Sequence, residues 1–501
     1  MSEKQDISNV ADLELGNYDH LSSFQKEMYL TDLHYDSMMK STEYSGEGDD
    51  EVIGTSFWKK IKKTTMFVDI SESMPITPGK SGEFIYTVND KLDLLLYIYM
   101  IREFPKYKVK SQLRDLVQIC WTHNLGHNSI IRLDLIVDND SKQTITSTWL
   151  DMHGQFFTKK DFRKSYRKMV GDAKYFPEWS NELPPVTVKV PIPFFFSRGR
   201  DSALPLFLTK SKVSVRGLFR NKLSELMKMR FRKDVNGDWV EKPFRYDCLE
   251  GILSRDEEIK SNPELFAYYS RITPEEKNGW KDLIEESVSK SYKLYYDDIT
   301  IISPERPYTC REPFIHELLC PTPAKGILWV AQNQEGLKYN NYSNYTTDPL
   351  DITVGKNPVD SISMKHGGTT VRFQGMKPTH FDEMMSYYRT ISPSFETGYH
   401  AIFYSPWPYD TNADVGPIFN DEIKTSLGIS IIDESTEKSD NVLGLVEGNL
   451  PDSFFEDQDA NDINRNLPRY RLIVIILCMK KIEFFWSDKI KVVGGNEKTK
   501  Y

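Results

Sequence analysis

A single eight-residue segment limits what this 501-residue chain can fold into more than any other. Residues 326–333 read Gly-Ile-Leu-Trp-Val-Ala-Gln-Asn, an apolar run that ends in polar side chains. A short run of this composition predicts a hydrophobic β-strand. Many β proteins share the pattern, so it indicates a local structure and becomes informative about the fold only together with the segments around it.

Further strand-like segments recur along the chain. In residues 131–137, apolar side chains alternate with Arg132 and Asp134, which gives one apolar and one polar face. Similar segments occur at 186–196, 204–209, 213–219, 292–302, 325–332, 359–364, 401–404, 427–432, 470–479 and 482–486. Helical periodicity is expected chiefly at 158–170, 221–232 and 274–290. Because helical crossovers at regular spacing are absent, the pattern favours β-sandwiches or jelly rolls.

Length and composition agree with a large β-rich protein. A chain of 501 residues exceeds what one hydrophobic core usually fills, and predicts about three domains, or two with long insertions. The 27 Tyr, 27 Phe and 9 Trp residues suit strands and subunit interfaces better than flexible tails. Disorder of the whole chain is therefore not expected.

Several segments resemble, in the same order, those of the major capsid proteins of nucleocytoplasmic large DNA viruses. Residues 190–206 are similar to the family's apolar strand, short polar turn and Ala-Leu-Pro-Leu strand, and residues 326–333 to a strand near the start of its second jelly roll. The other resemblances are an aspartate-bearing turn and first strand at 48–67, a strand and Trp-Leu-Asp helix start at 131–151, a strand closing the first jelly roll at 294–301, and an Asn-Pro-Val turn at 357–361.

The resemblance implies an all-β fold of two consecutive eight-stranded jelly rolls with long loops and a few helical insertions. It divides the chain into an acidic N-terminal arm (1–51), a first jelly roll (52–305) with a helical insertion at about 220–290, and a second (306–501) with an acidic loop (433–462). It further implies a homotrimer that forms pseudo-hexagonal capsomers, tiles the icosahedral shell of the virion, and has neither enzymatic activity nor a cofactor.

The same resemblance indicates the partners. They are other copies of this chain, minor capsid proteins and a penton protein, with peripheral contact to an inner viral membrane and no direct contact with nucleic acid. The protein is expected to be made in the host cytoplasm or a viral factory and to end in the capsid shell.

The net charge of −9 is unevenly distributed. Residues 1–51 hold 13 acidic and 3 basic side chains, and residues 433–462 hold 10 and 1, so the two stretches carry −10 and −9 and the rest of the chain +10. Both acidic stretches are expected to be solvated arms or loops, for which nucleic acid is a poor partner. Apolar residues such as Phe24, Met28 and Tyr29 suggest that the first is an arm that becomes ordered when capsomers meet.

The densest basic segment contains Lys159, Lys160, Arg163, Lys164, Arg167 and Lys168 on a helix-like stretch. Such a segment could bind phosphate or lipid headgroups. A solvated helix face is the favoured interpretation, because charged residues of this kind usually face solvent on a surface helix.

Cysteine usage and hydropathy indicate a reducing, non-membrane location. The five cysteines are odd in number and scattered, so we expect free thiols and no disulfide framework. The first residues lack the basic and apolar regions of a signal peptide. The longest apolar runs, 94–101 and 472–479, are too short to cross about 30 Å of hydrocarbon. A cytosolic protein with at most peripheral membrane contact is expected.

Candidate metal and phosphate sites are sparse. The sequence contains no Gly-x-x-x-x-Gly-Lys-Ser/Thr, Gly-x-Gly-x-x-Gly or Cys-x-x-Cys motif. His123 and His127 are four residues apart, a spacing that could place two metal ligands on one helix face. The residues between them are loop-like and no third ligand can be named, so a structural role is favoured.

Candidate catalytic residues are equally few. Cys310 and Cys320 flank His316, but a Cys–His nucleophile pair needs an orienting partner that cannot be named. Asp297 and Asp298 would point to opposite faces of a strand, so they could not act together on one substrate as glycosidase carboxylates do. We therefore predict no catalytic, cofactor or metal site.

Two other functions remain open at this point. One is a capsid-like scaffolding protein that is absent from the mature particle. The other is a carbohydrate-binding or carbohydrate-hydrolysing β-sandwich protein, for which an aromatic cleft formed by Tyr339, Tyr342 and Tyr345 is the best candidate. Sequons at Asn341 and Asn344 lie in the same loop, which we expect to be exposed; in a cytosolic chain they are best explained as chance occurrences.

Overall fold

A computed structural model describes most of the chain between residues 68 and 486. The described residues are 68–79, 82–172, 179–198, 202–232, 239–242, 253, 262–287, 290–304, 306–309, 311, 313–366, 370–389, 393–404, 417–419, 424–432 and 468–486. The predicted acidic arm and acidic loop lie outside these ranges, and so do Cys248 and Cys310.

The described residues are organised mainly as β-strands. In chain order these are β1 (Val68–Ser73), β2 (Ile76–Pro78), β3 (Phe84–Thr87), β4 (Leu94–Phe104), β5 (Tyr107–Lys108), β6 (Val117–Trp121), β7 (Ile130–Val137), β8 (Asp140–Thr146), β9 (Glu182–Leu183), β10 (Val186–Ile192), β11 (Leu204–Pro205), β12 (Ser214–Phe219), β13 (Met227–Arg232), β14 (Trp239–Lys242), β15 (Glu264–Arg271), β16 (Ser291–Ile302), β17 (Phe314–Leu318), β18 (Ala324–Asn333), β19 (Val359–His366), β20 (Thr370–Met376), β21 (Tyr399–Phe403), β22 (Thr425–Ile431) and β23 (Tyr470–Phe485).

Short helices connect some of the strands. They are α1 (Leu125–Ser129), α2 (Ser147–Phe157), α3 (Arg163–Val170), α4 (Pro274–Glu286), α5 (Gln334–Leu337) and α6 (Ser386–Arg389). The two longest begin at threonine N-caps. The Thr146 side chain accepts a hydrogen bond from the Trp149 amide, and the Thr273 side chain from the Glu276 amide. These bonds satisfy amides that have no partner inside the helix.

The first half of the described chain, β1 to α4, contains two main sheets. One has the strand order β1-β15-β4-β10, with β11 also paired to β4, and the other has the order β2-β3-β12-β7-β8. Strand β10 reads Val-Thr-Val-Lys-Val-Pro-Ile and alternates strictly between buried and exposed positions. This two-residue period lets each strand place apolar side chains on one face, where the two sheets share a core.

The second half, β16 to β23, contains two four-stranded sheets with the orders β16-β23-β18-β21 and β17-β22-β19-β20. The register of β18 against β23 runs from Ala324 opposite Cys478 to Asn333 opposite Tyr470. Together the eight strands form a second sandwich. The fold is thus the predicted all-β arrangement of two consecutive jelly rolls with short helical connections.

The sheet β16-β23-β18-β21 is covered on both faces, and we call it the central sheet. Leu328 and Val330 of β18 belong to the core that it shares with the first half, whereas Ile327 and Trp329 belong to the core of the second sandwich. As a result all ten residues of β18 are buried. A strand with both faces covered has no solvent side, which explains why residues 326–331 are so continuously apolar.

The helical predictions were partly wrong. Residues 221–232, predicted as a helix, contain β13, which pairs with β6 and β14. Its side chains alternate between buried and half-buried positions, as a strand requires, and do not follow a helical period. Residues 274–290 do contain the predicted helix, as α4, and residues 158–170 contain α3.

The strand at 294–301 was expected to close the first jelly roll. It lies in β16, which pairs with β23 along its whole length and therefore belongs to the central sheet. Strand β23 also joins the segments 470–479 and 482–486, which were predicted as separate strands. No helix in the described ranges is both long and apolar enough to cross a membrane.

Trp329→Asp is expected to abolish soluble folded protein. The Trp329 side chain is fully buried. The centroid of its ring lies 5.5 Å from that of the His400 ring and 5.4 Å from that of the Phe381 ring. A buried carboxylate costs several kcal/mol against a total stability of about 5–15 kcal/mol.

Val354→Asp is the matched control, because the Val354 side chain is 68% exposed. Thermal unfolding followed by circular dichroism should show a wild-type transition for Val354→Asp and none for Trp329→Asp. A wild-type melting temperature in Trp329→Asp would contradict the assignment of this strand.

Candidate functional site

The most polar part of the interior lies where the two halves meet. In the first half it comprises residues 122–128 and 151–172, and in the second half residues 340–346 and 393–397; we call this region the seam. Side chains bond across it: Thr122 Oγ1 donates to the Asn340 carbonyl at 2.5 Å, and Asn128 Nδ2 donates to Ser343 Oγ at 2.8 Å. The seam therefore fixes loops of the second jelly roll against helices of the first.

Local backbone geometry brings the seam residues of the first half together. Asn124 has a positive φ of 48°, which turns the chain from β6 into α1. Gly126 lies so close to Val190 and Val170 that a Cβ atom there would meet the Val190 side chain at 2.6 Å. At the other end, Gly171 ends α3 with φ 81° and leaves Asp172 next to Arg167.

Asp151 of α2 is the centre of one hydrogen-bond cluster. Its carboxylate accepts bonds from Asn124 Nδ2 at 3.0 Å and from the Tyr345 hydroxyl at 3.1 Å, and lies 2.7 Å from His127 Nδ1. The other ring nitrogen of His127 lies 2.9 Å from the Tyr166 hydroxyl. Burial and the nearby Asp151 charge raise the pKa of Tyr345 well above its usual value, so its hydroxyl remains a donor.

Glu396 of the second half is the centre of the other cluster. Its carboxylate accepts from Arg167 Nη2 and from Gln155 Nε2, both at 2.9 Å. The adjacent Phe395 ring lies under the guanidinium groups of Arg163 and Arg167, at 4.6 and 4.9 Å from the ring centroid. Two helices of the first jelly roll therefore hold one short segment of the second.

His123 lies between two carboxylates, Asp172 of the first half and Glu396 of the second. Its Nδ1 is 3.7 Å from Asp172 Oδ1, and its Nε2 is 3.7 Å from Glu396 Oε1. The three residues are close enough to be considered as a metal-binding group. The geometry argues against it, because the two carboxylates face different ring nitrogens and both already pair with Arg167. One ion could be bound by only one of those nitrogens.

A second ionic network joins the two halves through the central sheet. Lys325 of β18 is fully buried, and its Nζ lies 2.8 Å from Asp297 Oδ1 on β16. Arg198, which follows β10 in the first half, pairs with the other oxygen of Asp297. The Asp297 backbone carbonyl also accepts from Gln143 Nε2 of β8 at 2.9 Å. A buried cation of this kind depends on its carboxylate partner.

The two histidines singled out by their spacing do not form one site. His127 contacts Asp151, whereas His123 faces Asp172 and Glu396. Sequence spacing could not reveal these partners, because Glu396 is 273 positions from His123 in the chain. The sequence showed only two histidines separated by loop-like residues. This pattern favoured a structural role for both histidines.

The other predicted candidates are separate from one another. Asp297 pairs with Lys325 and Arg198, whereas Asp298 pairs with Lys480, so the two adjacent carboxylates face different partners, as expected for neighbouring side chains on a strand. Cys320 is buried and contacts Thr322, and His316 lies beside the Phe314 ring. The third member of that group, Cys310, lies outside the described residues.

The loop with the two sequons is buried, so its predicted exposure was wrong. Asn344 is fully buried and its amide donates to the Asp348 carbonyl at 2.7 Å; the Asn341 amide donates to the Pro349 carbonyl at 3.2 Å. These amides are used within the fold and are shielded from a glycosylating enzyme. Tyr345 is also buried and Tyr342 packs on Arg220, an arrangement that does not provide the exposed aromatic cleft a carbohydrate site would need.

The basic segment has two different faces. Arg163 and Arg167 turn toward Phe395 in the seam. The lysines of the segment are exposed, as a solvated helix face predicts; they are Lys159, Lys160, Lys164 and Lys168. Large apolar side chains are also exposed elsewhere on the surface, among them Ile315 at the sheet edge and the neighbouring Tyr387 and Tyr388.

Comparison with known proteins relates this chain to capsid proteins. A family model described as "Major capsid protein N-terminus" matches residues 55–234. The major capsid protein of Frog virus 3 (isolate Goorha) is 22% identical over 396 residues, covering 74% of this chain and 81% of that protein. The major capsid protein of Trichoplusia ni ascovirus 2c is 26% identical over 204 residues, covering 37% of this chain and only 42% of the ascovirus protein.

Solved structures show the same fold. The Faustovirus major capsid protein has a TM-score of 0.61 at 8% identity, with 91% of this chain and 98% of that chain covered. A quasi-atomic model of the PBCV-1 virus capsid has a TM-score of 0.56 at 14% identity, with 85% and 96% covered.

Asp297→Asn is expected to destabilise the fold by about 3–5 kcal/mol, because it leaves the fully buried Lys325 cation without its carboxylate. Asp360→Asn is the matched control: it removes the same charge from an exposed pair with Lys377 and should cost less than about 1 kcal/mol. Urea unfolding measures both. Equal midpoints for the two variants would contradict a structural role for the Asp297 network.

Proposed function

Because the chain belongs to the double jelly-roll major capsid proteins of nucleocytoplasmic large DNA viruses, we propose that it associates with itself to build the icosahedral shell of the virion. Three copies form a capsomer whose six jelly rolls give a pseudo-hexagonal outline. The observation that carries this proposal is the fold itself, two consecutive sandwiches joined through one central sheet.

Sheet edges and exposed apolar side chains support self-association. Within the described part of the chain, β17 and β20 are the outer strands of their four-stranded sheet, and a sheet edge is a template for further contacts. Ile315 of β17 is 70% exposed and Val371 of β20 is 47% exposed. Contacts with neighbouring copies would cover such side chains, and many modest interfaces acting together would hold the shell.

The function is structural, and no catalysed reaction is proposed. Among the described residues, the titratable groups of the seam are engaged with one another: Glu396 and Asp172 pair with Arg167, and Asp151 accepts from the Tyr345 hydroxyl. Minor capsid proteins, a penton protein and peripheral contact with an inner membrane are the further partners that we propose. For the domain division, the pairing of β16 with β23 favours a second jelly roll that begins near residue 290 instead of 306.

The purified chain is expected to be a trimer of about three times 58.3 kDa, because closed symmetric assemblies cover the sheet edges of all their subunits. Light scattering coupled to size exclusion measures this mass. Only monomer at micromolar concentration would contradict the trimer. Quantitative mass spectrometry of purified particles then distinguishes a shell protein, present in thousands of copies, from a scaffolding protein that leaves the particle.

Deletion of residues 1–45 is expected to leave trimer formation and melting temperature nearly unchanged while particle assembly fails or becomes irregular. The segment 1–51 carries −10, and we propose that it pairs with the basic remainder of a neighbouring subunit. Trimer mass, melting temperature and particle assembly are measured separately.

The matched control for the deletion keeps the full arm but changes its Asp and Glu residues to Asn and Gln. Assembly of this variant should also be impaired, and wild-type assembly should weaken at high salt, which screens such charges. If the truncated chain cannot fold, residues 1–51 are part of the folded core, and the proposal that they form an arm is wrong.

A further inference from the structure

Negative charge predominates around His123 in the seam. The carboxylates that face it are Asp172 after α3, Glu396 before β21 and Asp151 on α2. Arg167 is the guanidinium that pairs with two of these carboxylates, and His127 is the second imidazole, in contact with Asp151. If both imidazoles were neutral, two buried carboxylates, Asp151 and Asp172, and the half-buried Glu396 would face one half-buried cation, Arg167. Such an imbalance favours the uptake of positive charge.

Protonation of the His123 imidazole can supply this positive charge. The residue is 5% exposed, and neither ring nitrogen makes a hydrogen bond of normal length. A carboxylate oxygen lies 3.7 Å from each nitrogen, on opposite sides of the ring. A neutral imidazole has only one N–H, so one nitrogen lone pair would point at a carboxylate. An imidazolium has two N–H donors and can direct one to each carboxylate.

We propose that protonated His123 acts as a clasp between the two jelly rolls, binding Asp172 of the first and Glu396 of the second, and that the clasp loosens when the imidazole loses its proton. The residues on either side of Glu396 make this an inter-domain contact, because the segment 393–397 is held by α2 and α3 of the first half. The Phe395 amide donates to Gln155 Oε1 at 3.2 Å, and Arg163 Nη2 donates to the Pro393 carbonyl at 2.5 Å.

The direction of the pH effect follows from the surroundings of His123. Burial alone would lower its pKa, but Glu396, Asp172 and Asp151 together raise the pKa above the ordinary value of 6.5. A group with a raised pKa in the folded state stabilises that state fully below its unfolded pKa, and this stabilisation is lost as pH rises through the folded pKa. The clasp is therefore closed in solution more acidic than the ordinary histidine pKa of 6.5, and it opens as pH rises through the raised pKa of His123.

Loss of the proton would not detach the segment. Arg167 and Gln155 still bind Glu396, and Arg163 and Arg167 still cover the Phe395 ring. The expected result is local loosening of 393–397 and of the turn that carries His123, while both sandwiches stay folded. The effect is thus distinct from global unfolding.

Hydrogen–deuterium exchange of the full chain at about pH 6 and about pH 9, corrected for the intrinsic pH dependence of exchange, tests the clasp. Protection of peptides covering 393–398 should fall about tenfold in wild type between the two conditions, as expected for the loss of roughly one charge-assisted hydrogen bond. The variant His123→Gln should show low protection at both pH values. Equal wild-type protection at both pH values would overturn the proposal.

His153→Gln is the matched control. His153 lies on α2, and burial lowers its pKa to about 3, so it stays neutral across the tested range. This variant should keep the wild-type fall in protection. A fall that disappears in His153→Gln and persists in His123→Gln would assign the pH dependence to another group and overturn the clasp.

The His123→Gln variant could lose protection because its whole fold is less stable. Two further measurements on the wild-type protein avoid this problem. In wild type labelled with ¹³C-histidine, the resonance that is missing from His123→Gln should titrate above the ordinary value of 6.5; titration at or below that value would refute the clasp. Exchange is also repeated with EDTA and with added Zn²⁺. If peptides 393–398 are protected only when Zn²⁺ is added, at both pH values, the cluster binds a metal ion. This result would overturn the proposal that a proton on His123 closes the clasp.

Discussion

Burial of the central sheet on both faces is the constraint on which the rest of this molecule depends. Leu328 and Val330 face one core and Ile327 and Trp329 face the other, so β18 has no side on which a polar residue could reach water. Apolar burial is the main favourable term in folding, and here one strand contributes to two cores. The two jelly rolls are consequently parts of one packed structure.

The charged groups that join the two halves in this interior are arranged in pairs and clusters. Asp297 lies between Lys325 and Arg198, and Glu396 between Arg167 and Gln155. In both cases at least one partner comes from the other half of the chain. Hydrogen bonds and ion pairs have directional requirements that apolar contacts lack, so these clusters set the position of one sandwich on the other more narrowly than burial alone would.

Sequence patterns predicted the strands well wherever local periodicity was strong. Residues 186–192 alternate strictly and residues 326–331 are continuously apolar, and both are strands in the structure. Residues 221–232 were assigned to a helix because their apolar residues also fit a helical period over a short window; pairing with β6 and β14 decides in favour of a strand. The seam could not be predicted, since its partners, such as His123 and Glu396, are far apart in the chain.

The doubly covered central sheet also limits how the chain can be divided. If the second jelly roll were produced alone, Leu328, Val330, Ile475 and Leu477 would lose the first-half core against which they pack and would form a broad apolar face. Such a face drives aggregation in a soluble protein. Neither jelly roll is therefore an exchangeable module, because each half covers an apolar face of the other.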